Sequence, residues 1–413
     1  MATQWLVLAD DLTGAADCAI TFAKRGLDAV VTWKDNRVEE QPCVLAVDAD
    51  SRRLTAAAAA ERHRSLLGRY YRPGLRLYKK IDSTLRGQPA AEMFATSAFL
   101  RQQSGQQPLA IMTPAFPATG RTTEGGSIRM AGQPLETTAL WARDHTYPTA
   151  DLVAVLSASE LPARLAPLEL VRQGPPALRA LFEQLIARGT AAVVCDAVTL
   201  DDLSAIAAAS IPLAALVYWI GSAGLAAAAA DVVVKGVSTP KQALELPRRQ
   251  GGNLVVVGSL AELSRRQAAN LVQSGLVRHV AVEPGMLLDP ARRSGPGVTK
   301  EVSAALAAGE DVLLEIGATP DPDLSRGAMI VKGLAEVISP LADSIRALVV
   351  TGGETACALL SQLGVGGIRL LEEVEPGVPL GVTTGAVSLA VITKAGAFGN
   401  PDTLLNCLRR LKP

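Results

Sequence analysis

WLVLADDLTGAAD, residues 5–17, runs from five consecutive apolar residues through two aspartates into a segment with helical spacing. A strand apolar on both faces that leads directly into a helix is the building unit of a parallel sheet covered by helices. The same succession recurs along the chain. Apolar runs at 29–33, 43–47, 109–112, 192–195, 215–220, 254–257, 280–282, 312–314 and 347–350 alternate with helix-period segments at 14–24, 55–70, 89–102, 178–188, 261–273, 300–308 and 355–363. This alternation predicts an α/β protein, with two α/β domains whose mostly parallel sheets face a central cleft. The stretch KGVSTPKQALELPRRQGG, 235–252, is polar, holds two prolines and ends in Gly-Gly. It predicts a boundary between an N-terminal domain, 1–238, and a C-terminal domain, 250–413.

Composition narrows the function. Of 413 residues 49% are hydrophobic and 19% charged, which is globular and excludes a disordered chain. Forty Lys and Arg balance forty Asp and Glu, which argues against a dedicated binder of nucleic acid or of anionic membranes. Five cysteines without a CxxC pair predict reduced thiols. No HExxH or His/Cys cluster has zinc spacing. The start MATQW lacks a basic segment and a long apolar run, so no signal peptide is expected. The uncharged stretch 203–230 is long enough to span a bilayer, but Pro212 and the turn at 221–224 divide it. It is expected to form a helix end, a strand and a buried Ala-rich helix, and the protein is expected to be cytoplasmic. The apolar face of 225–234 fits either the core or a homodimer interface.

Ligands in open α/β sheets bind beyond the carboxyl ends of the strands. After the first strand come Asp10 and Asp11. Capping by Asp11 or Thr13 accounts for one acid; the second fits binding of a hydroxyl or acceptance of a proton. After the third, Asp48-Ala-Asp-Ser-Arg52-Arg53 is either a solvated loop or a bidentate carboxylate receptor. The densest segment is YKKIDSTLRG, 78–87, with Lys79, Lys80, Asp82, Ser83, Thr84 and Arg86 before a helix expected near Pro89. Such density exceeds what capping needs and suits an acidic, polyhydroxylated ligand. In PAFPATGRTT, 114–123, two prolines stiffen a loop from which Arg121 can reach an anion. In the second half, Gly258-Ser259, Gly352-Gly353-Glu354-Thr355 and Gly396-Ala397-Phe398-Gly399 follow strand-like runs. They read as a nucleotide-phosphate cradle or as ordinary glycine turns. No Gly-Lys dipeptide, HRD, DFG or GxSxG occurs, which removes a Walker loop, protein-kinase chemistry and a nucleophile elbow, and the absence of GxGxxG argues against a dinucleotide site.

ADDLTGAAD (9–17), KKIDSTLRG (79–87), PAFPATGRT (114–122), VVVGSL (255–260), VTGGET (350–355), EPGVP (375–379) and KAGAFG (394–399) together resemble the four-carbon acid sugar kinase family. The resemblance spans nearly the whole chain, in order. It implies an N-terminal domain for the acid sugar, with Asp10, Asp11, Arg52, Lys80, Ile81, Asp82, Ser83 and Thr84 at that site, to which the reading of 78–87 adds Arg86. It implies a C-terminal domain for ATP, with Ser259, Gly353, Gly396, Ala397, Phe398 and Gly399, to which the reading of the glycine turn adds Gly352, Glu354 and Thr355. The last motif departs from the K-S-G-N-F-G frequent in the family. The expected reaction moves the γ-phosphoryl of ATP to the 4-hydroxyl of threonate, erythronate or a 3-oxo-tetronate. Asp10 or Asp82 would orient or deprotonate that hydroxyl, and Mg²⁺ would bridge ATP oxygens with help from Glu354 or Asp11. A non-catalytic sugar-acid sensor and another acid-sugar enzyme, a dehydrogenase or dehydratase, are the alternatives.

Overall fold

A computed structural model describes residues 4–33, 41–235, 245–259, 261–293, 297–317, 326–396 and 398–412. Two compact units emerge: described residues 4–29 with 41–235, and 30–33 with 245–412. The boundary stretch expected at 235–252 lies partly outside the described residues, at 236–244.

The strands in chain order are β1 (Trp5–Ala9), β2 (Ala29–Trp33), β3 (Val44–Asp48), β4 (Arg76–Lys80), β5 (Leu109–Thr113), β6 (Arg121–Glu124), β7 (Ser127–Met130), β8 (Gln133–Pro134), β9 (Ala163–Ala166), β10 (Ala192–Cys195) and β11 (Val217–Gly221). In the first unit seven strands form a parallel sheet in the order β3-β1-β4-β11-β5-β10-β9. Every residue of β1 and β3 is buried, as a strand covered on both faces requires. The register sets Ala9 beside both Asp48 and Lys80, and Gly221 beside Lys80 and Thr113. Five neighbouring strands, β3, β1, β4, β11 and β5, therefore end at one level, and the loops after β1, β3 and β4 leave the sheet side by side. The segment expected as a stiff loop after β5 carries instead the small antiparallel sheet β6-β7-β8.

The uncharged stretch resolves into the helix Leu200–Ser210, strand β11 and the helix Ala223–Val234. No helix among the described residues is long and apolar enough to cross a membrane. Leu225, Ala226 and Ala228 to Ala230 are buried within the unit, so that much of the helix face is core. All five cysteines are buried free thiols.

In the second unit follow β12 (Gly252–Val257), β13 (Arg278–Val282), β14 (Val312–Ile316), β15 (Ile345–Thr351), β16 (Val365–Glu375), β17 (Val378–Gly385) and β18 (Ala390–Lys394). Their order is β13-β14-β12-β15-β18-β17-β16-β2. The first five run parallel, and β18, β17, β16 and β2 pair antiparallel. The sequence reading assigned all of 1–238 to the first domain, whereas Val30 and Val31 of β2 pair with Arg369 and Ile368 of β16. The Thr32 hydroxyl donates to the Gly366 carbonyl at 2.8 Å, and the Trp33 indole N–H to Ser361 Oγ at 2.8 Å.

Candidate functional site

The three side-by-side loops of the first unit gather charge around Arg52. Its guanidinium donates to Asp10 through Nε (2.8 Å) and Nη2 (2.9 Å), and to Asp11 through Nη1. The loop is seated by its backbone as well, since the Ser51 and Arg52 amides donate to the Asp10 carbonyl at 3.1 and 3.2 Å. Asp11 also caps the helix Leu12–Ala23, accepting from the Gly14 amide at 2.7 Å. The capping expected of Asp11 is thus present, and both carboxylates in addition pair with Arg52. A Cβ on Gly14 would lie 2.6 Å from Asp11 Oδ1 and 3.2 Å from Lys80 Nζ, so a larger residue there would displace these two side chains.

Charge states follow from these contacts. Burial pushes the Asp10 carboxyl up, but Arg52, Lys79 and Lys80 outweigh it and hold Asp10 below its ordinary value. Burial, aided by the negative charge of Asp10, leaves Asp11 raised despite Arg52. Asp48 is raised well above its ordinary value, by burial first and then by Asp11, Asp50 and Asp10. Asp82 is opposed by burial, yet Arg86, Arg52 and the Thr84 hydroxyl hold it far below the carboxylate range. Arg86 grips Asp82 through Nε and Nη2, both at 3.0 Å, and the Thr84 hydroxyl and amide donate to the same carboxylate. Leu85, at φ 62°, is a buried non-glycine residue in the left-handed region within this loop. Such strain persists only where surrounding contacts over-determine the backbone.

Lys80 is buried and spends one N–H on the Ile81 carbonyl, at 2.8 Å. Ile81 serves through its backbone: its amide donates to the Gly221 carbonyl at 2.9 Å. Ser83 is half-buried, and no hydrogen bond of its hydroxyl occurs among the described residues. The structure thus brings Asp10, Asp11, Arg52, Lys80, Asp82, Ser83, Thr84 and Arg86 to one end of one sheet.

Sequence reasoning missed the layer beneath. β4 is buried from Leu77 to Lys80, and its alternation sends Lys79 to the face opposite Lys80. Lys79 Nζ lies 2.7 Å from Glu92 Oε2, with both side chains 1% exposed. The Ser51 hydroxyl donates to Glu92 Oε1 at 2.5 Å, and His63 Nδ1 lies 3.6 Å from the same oxygen. This cluster ties Ser51, next to Arg52, to Lys79, next to Lys80. Two consecutive lysines in a short strand were the signal, since one of them had to point inward.

His63 reports on this layer. Burial, then the Lys79 charge, lowers its pKa to about 4, although Glu92 opposes them. The unfolded chain takes up that proton near the ordinary 6.5, the folded protein only near 4. Stability is therefore expected to fall as pH drops from about 6.5 to about 4, by about 3 kcal/mol from this residue. Urea unfolding across that range should show the loss in the wild type. His63→Gln should flatten it; an equal acid loss in the variant would refute the assignment.

In the second unit β12, β15 and β18 are neighbours, with Val257 beside Thr351 and Thr351 beside Lys394. The three glycine loops therefore leave the sheet together, and they fit tightly. A Cβ on Gly258 would lie 2.4 Å from Thr355 Oγ1, and one on Gly396 2.1 Å from Ser259 Oγ. Gly352 adopts φ 93°, which favours glycine. Behind them the helix Glu262–Gln273 anchors the last loop: the Ser264 hydroxyl donates to the Gly396 carbonyl at 2.8 Å, and Gln267 Nε2 to those of Phe398 (3.1 Å) and Asn400 (2.7 Å). Glu375 accepts from Thr403 (2.6 Å) and Asn406 (2.7 Å) on the adjoining helix. Gly353 opens the helix Gly353–Gln362, Glu354 is exposed and Thr355 buried. Ala397 lies outside the described residues. Side-chain-free backbone at helix N-termini is the chemistry that phosphate oxygens need, so these residues fit a nucleotide's phosphates. Among the described residues no three His, Cys, Asp or Glu side chains are grouped to hold a metal ion.

Two family models match the chain. Residues 5–229 match the family model described as a sugar-binding N-terminal domain, and 254–404 the one described as a nucleotide-binding C-terminal domain. A D-threonate kinase of Cupriavidus necator is 43% identical over 409 residues, covering 97% of this chain and 96% of that protein. A 3-oxo-tetronate kinase of Pseudomonas fluorescens is 28% identical over 427 residues, covering 98% and 96%. A solved Salmonella typhimurium LT2 protein shares the fold, with a TM-score of 0.83 at 19% identity and 100% of each chain covered.

Proposed function

The chain belongs to the four-carbon acid sugar kinase family, and from that premise we propose that it transfers the γ-phosphoryl group of ATP to the terminal 4-hydroxyl of a four-carbon acid sugar, with D-threonate as the leading substrate. The observation that carries this reading is the pairing of Arg52 with Asp10 and Asp11 beside Lys80, at the end of the sheet in the sugar-binding unit. D-threonate is favoured because the 43% identical relative is a D-threonate kinase, whereas the 3-oxo-tetronate kinase is 28% identical.

Phosphoryl transfer asks for positioning and charge neutralisation more than for covalent help. The Ser83 hydroxyl and the remaining Lys80 N–H groups supply donors to the substrate's hydroxyls and carboxylate. Asp82, one of two candidate bases in the sequence reading, is the weaker choice, since Arg86 and Thr84 engage its oxygens and hold it ionised. Asp10 is gripped by the Nε–Nη2 edge of Arg52 and is 3% exposed at its side chain, against 27% for Asp11. We therefore assign Asp11, whose pKa is raised, to orient and accept the proton of the attacking hydroxyl, with Asp10 holding Arg52. Gly258, Ser259, the Gly352–Thr355 turn and the Gly396–Gly399 loop would receive the phosphates of ATP. Of the two carboxylates named for Mg²⁺ in the sequence reading, Glu354 would help to hold it, since Asp11 is assigned to the proton, and the ion would supply charge neutralisation at the phosphates.

The test is ADP release from Mg-ATP with D- and L-threonate, D- and L-erythronate and the 3-oxo-tetronates. Turnover on D-threonate above all others is expected; turnover on none would overturn the reading. At the nucleotide site Gly258→Ala is expected to raise the KM for ATP about tenfold or more, because Thr355 must move, while D-threonate affinity stays within twofold. Equal KM values for ATP would remove these loops from the site.

A further inference from the structure

Every cation described so far around the sugar-binding loops has a protein acceptor: Arg52 has Asp10 and Asp11, Arg86 has Asp82, Lys79 has Glu92, and Lys80 gives one N–H to a carbonyl. Arg121 differs. It is half-buried, and its Nε is shut off from solvent without a hydrogen-bond partner. Its side chain forms no ion pair or hydrogen bond among the described residues, although its charge interacts with those of Asp82, Arg86 and Asp17. Burial lowers its pKa, as expected of a cation stripped of water without full compensation. Desolvating such a group costs free energy that a bound anion would offset.

Its mounting is rigid. The Phe116 amide donates to the Arg121 carbonyl at 2.8 Å, and the Arg121 amide to the Phe116 carbonyl at 3.2 Å. Thr123 exchanges two backbone hydrogen bonds with Ala197, both at 2.9 Å. The turn beyond is held by Asp196, which accepts from the Gly125 (2.8 Å) and Gly126 (2.9 Å) amides. Arg121 thus begins a pinned hairpin on the connection after β5, a strand that ends level with Gly221 and Lys80. A fixed planar fork is suited to a carboxylate.

We propose that Arg121 is the receptor for the substrate's C1 carboxylate and thereby the residue that makes this an enzyme of acid sugars. The inference rests on the acid-sugar kinase reading. It leaves Ser83 and Lys80 to the hydroxyls, and it makes the Arg52–Asp10–Asp11 group the end of the site that handles the transferred proton.

Calorimetry with the full-length protein tests it, using D-threonate and its neutral isostere D-threonamide as probes. The wild type is expected to prefer the acid. Arg121→Gln should weaken D-threonate about 10- to 100-fold, leave D-threonamide and ATP within twofold, and so abolish the preference. Arg121→Lys, which keeps charge without the fork, should recover part of it. An unchanged preference in Arg121→Gln, or an equal loss for both probes, overturns the proposal, as does a wild type that binds both probes alike. Turnover of D-threonate that is indifferent to Arg121 overturns this proposal alone, whereas a wild type that neither binds nor phosphorylates any tetronate overturns the kinase reading with it.

Discussion

Arg52→Ala is expected to lower kcat/KM for the acid sugar by about 10³-fold, the consequence of leaving a buried carboxylate without its counter-ion. Asp10 would lose both hydrogen bonds of the fork, at 2.8 and 2.9 Å, and Asp11 its only guanidinium among the described residues. Released from Arg52, both acids would rise in pKa and repel one another less by ionising less. Asp11 would then be less ionised and no longer held in place, and so poorly suited to accept a proton. Arg52→Lys should recover little, since one ammonium cannot reproduce three directed contacts on two carboxylates. Steady-state kinetics with circular dichroism as a fold control decides. Activity within threefold of wild type would show that Arg52 serves packing alone.

Glu92→Ala should be the most destabilising single change in the sugar-binding unit, at about 3–5 kcal/mol. It strands the Lys79 ammonium, 1% exposed, beside a neutral histidine and a serine hydroxyl that has lost its acceptor. Glu92→Gln keeps the shape and an acceptor for Ser51, and should lose less. Because the cluster lies under both Ser51-Arg52 and Lys79-Lys80, the glutamine variant should also raise the KM for the acid sugar while leaving that for ATP unchanged. Urea denaturation gives the first number and kinetics the second. A Glu92→Ala protein within 1 kcal/mol of wild type would mean that Lys79 finds solvent or another partner.

Much of this arrangement was readable from the chain. Trp5 to Ala9 has no polar residue, so it had to be covered on both faces, and Asp10 and Asp11 had to stand at its end. The other loops follow the same logic of apolar strand, polar turn, helix. β4 was harder, because Arg-Leu-Tyr-Lys-Lys looks like a loop until Glu92 is known to meet Lys79. Glu92 itself reads as an ordinary acid in a helix's first turn, and nothing local shows that it points inward. The antiparallel β16–β17 arm was hidden by its acids: Glu372, Glu373 and Glu375 break the apolar run, and EPGVP reads as a motif rather than as a hairpin turn with Gly377 at φ 77°. The attachment of β2 to the second unit was not legible at all. Five buried residues carry no mark of which sheet they join, and that choice is made by Gly366, Ile368 and Arg369, more than 300 positions away.

The most direct test of the account is phosphorus and proton NMR of the product formed from Mg-ATP and D-threonate. The account predicts a phosphomonoester whose phosphorus couples to the C4 methylene protons, formed in equal amount to ADP. ADP without a phosphomonoester, or phosphate carried on C2 or C3, would contradict it.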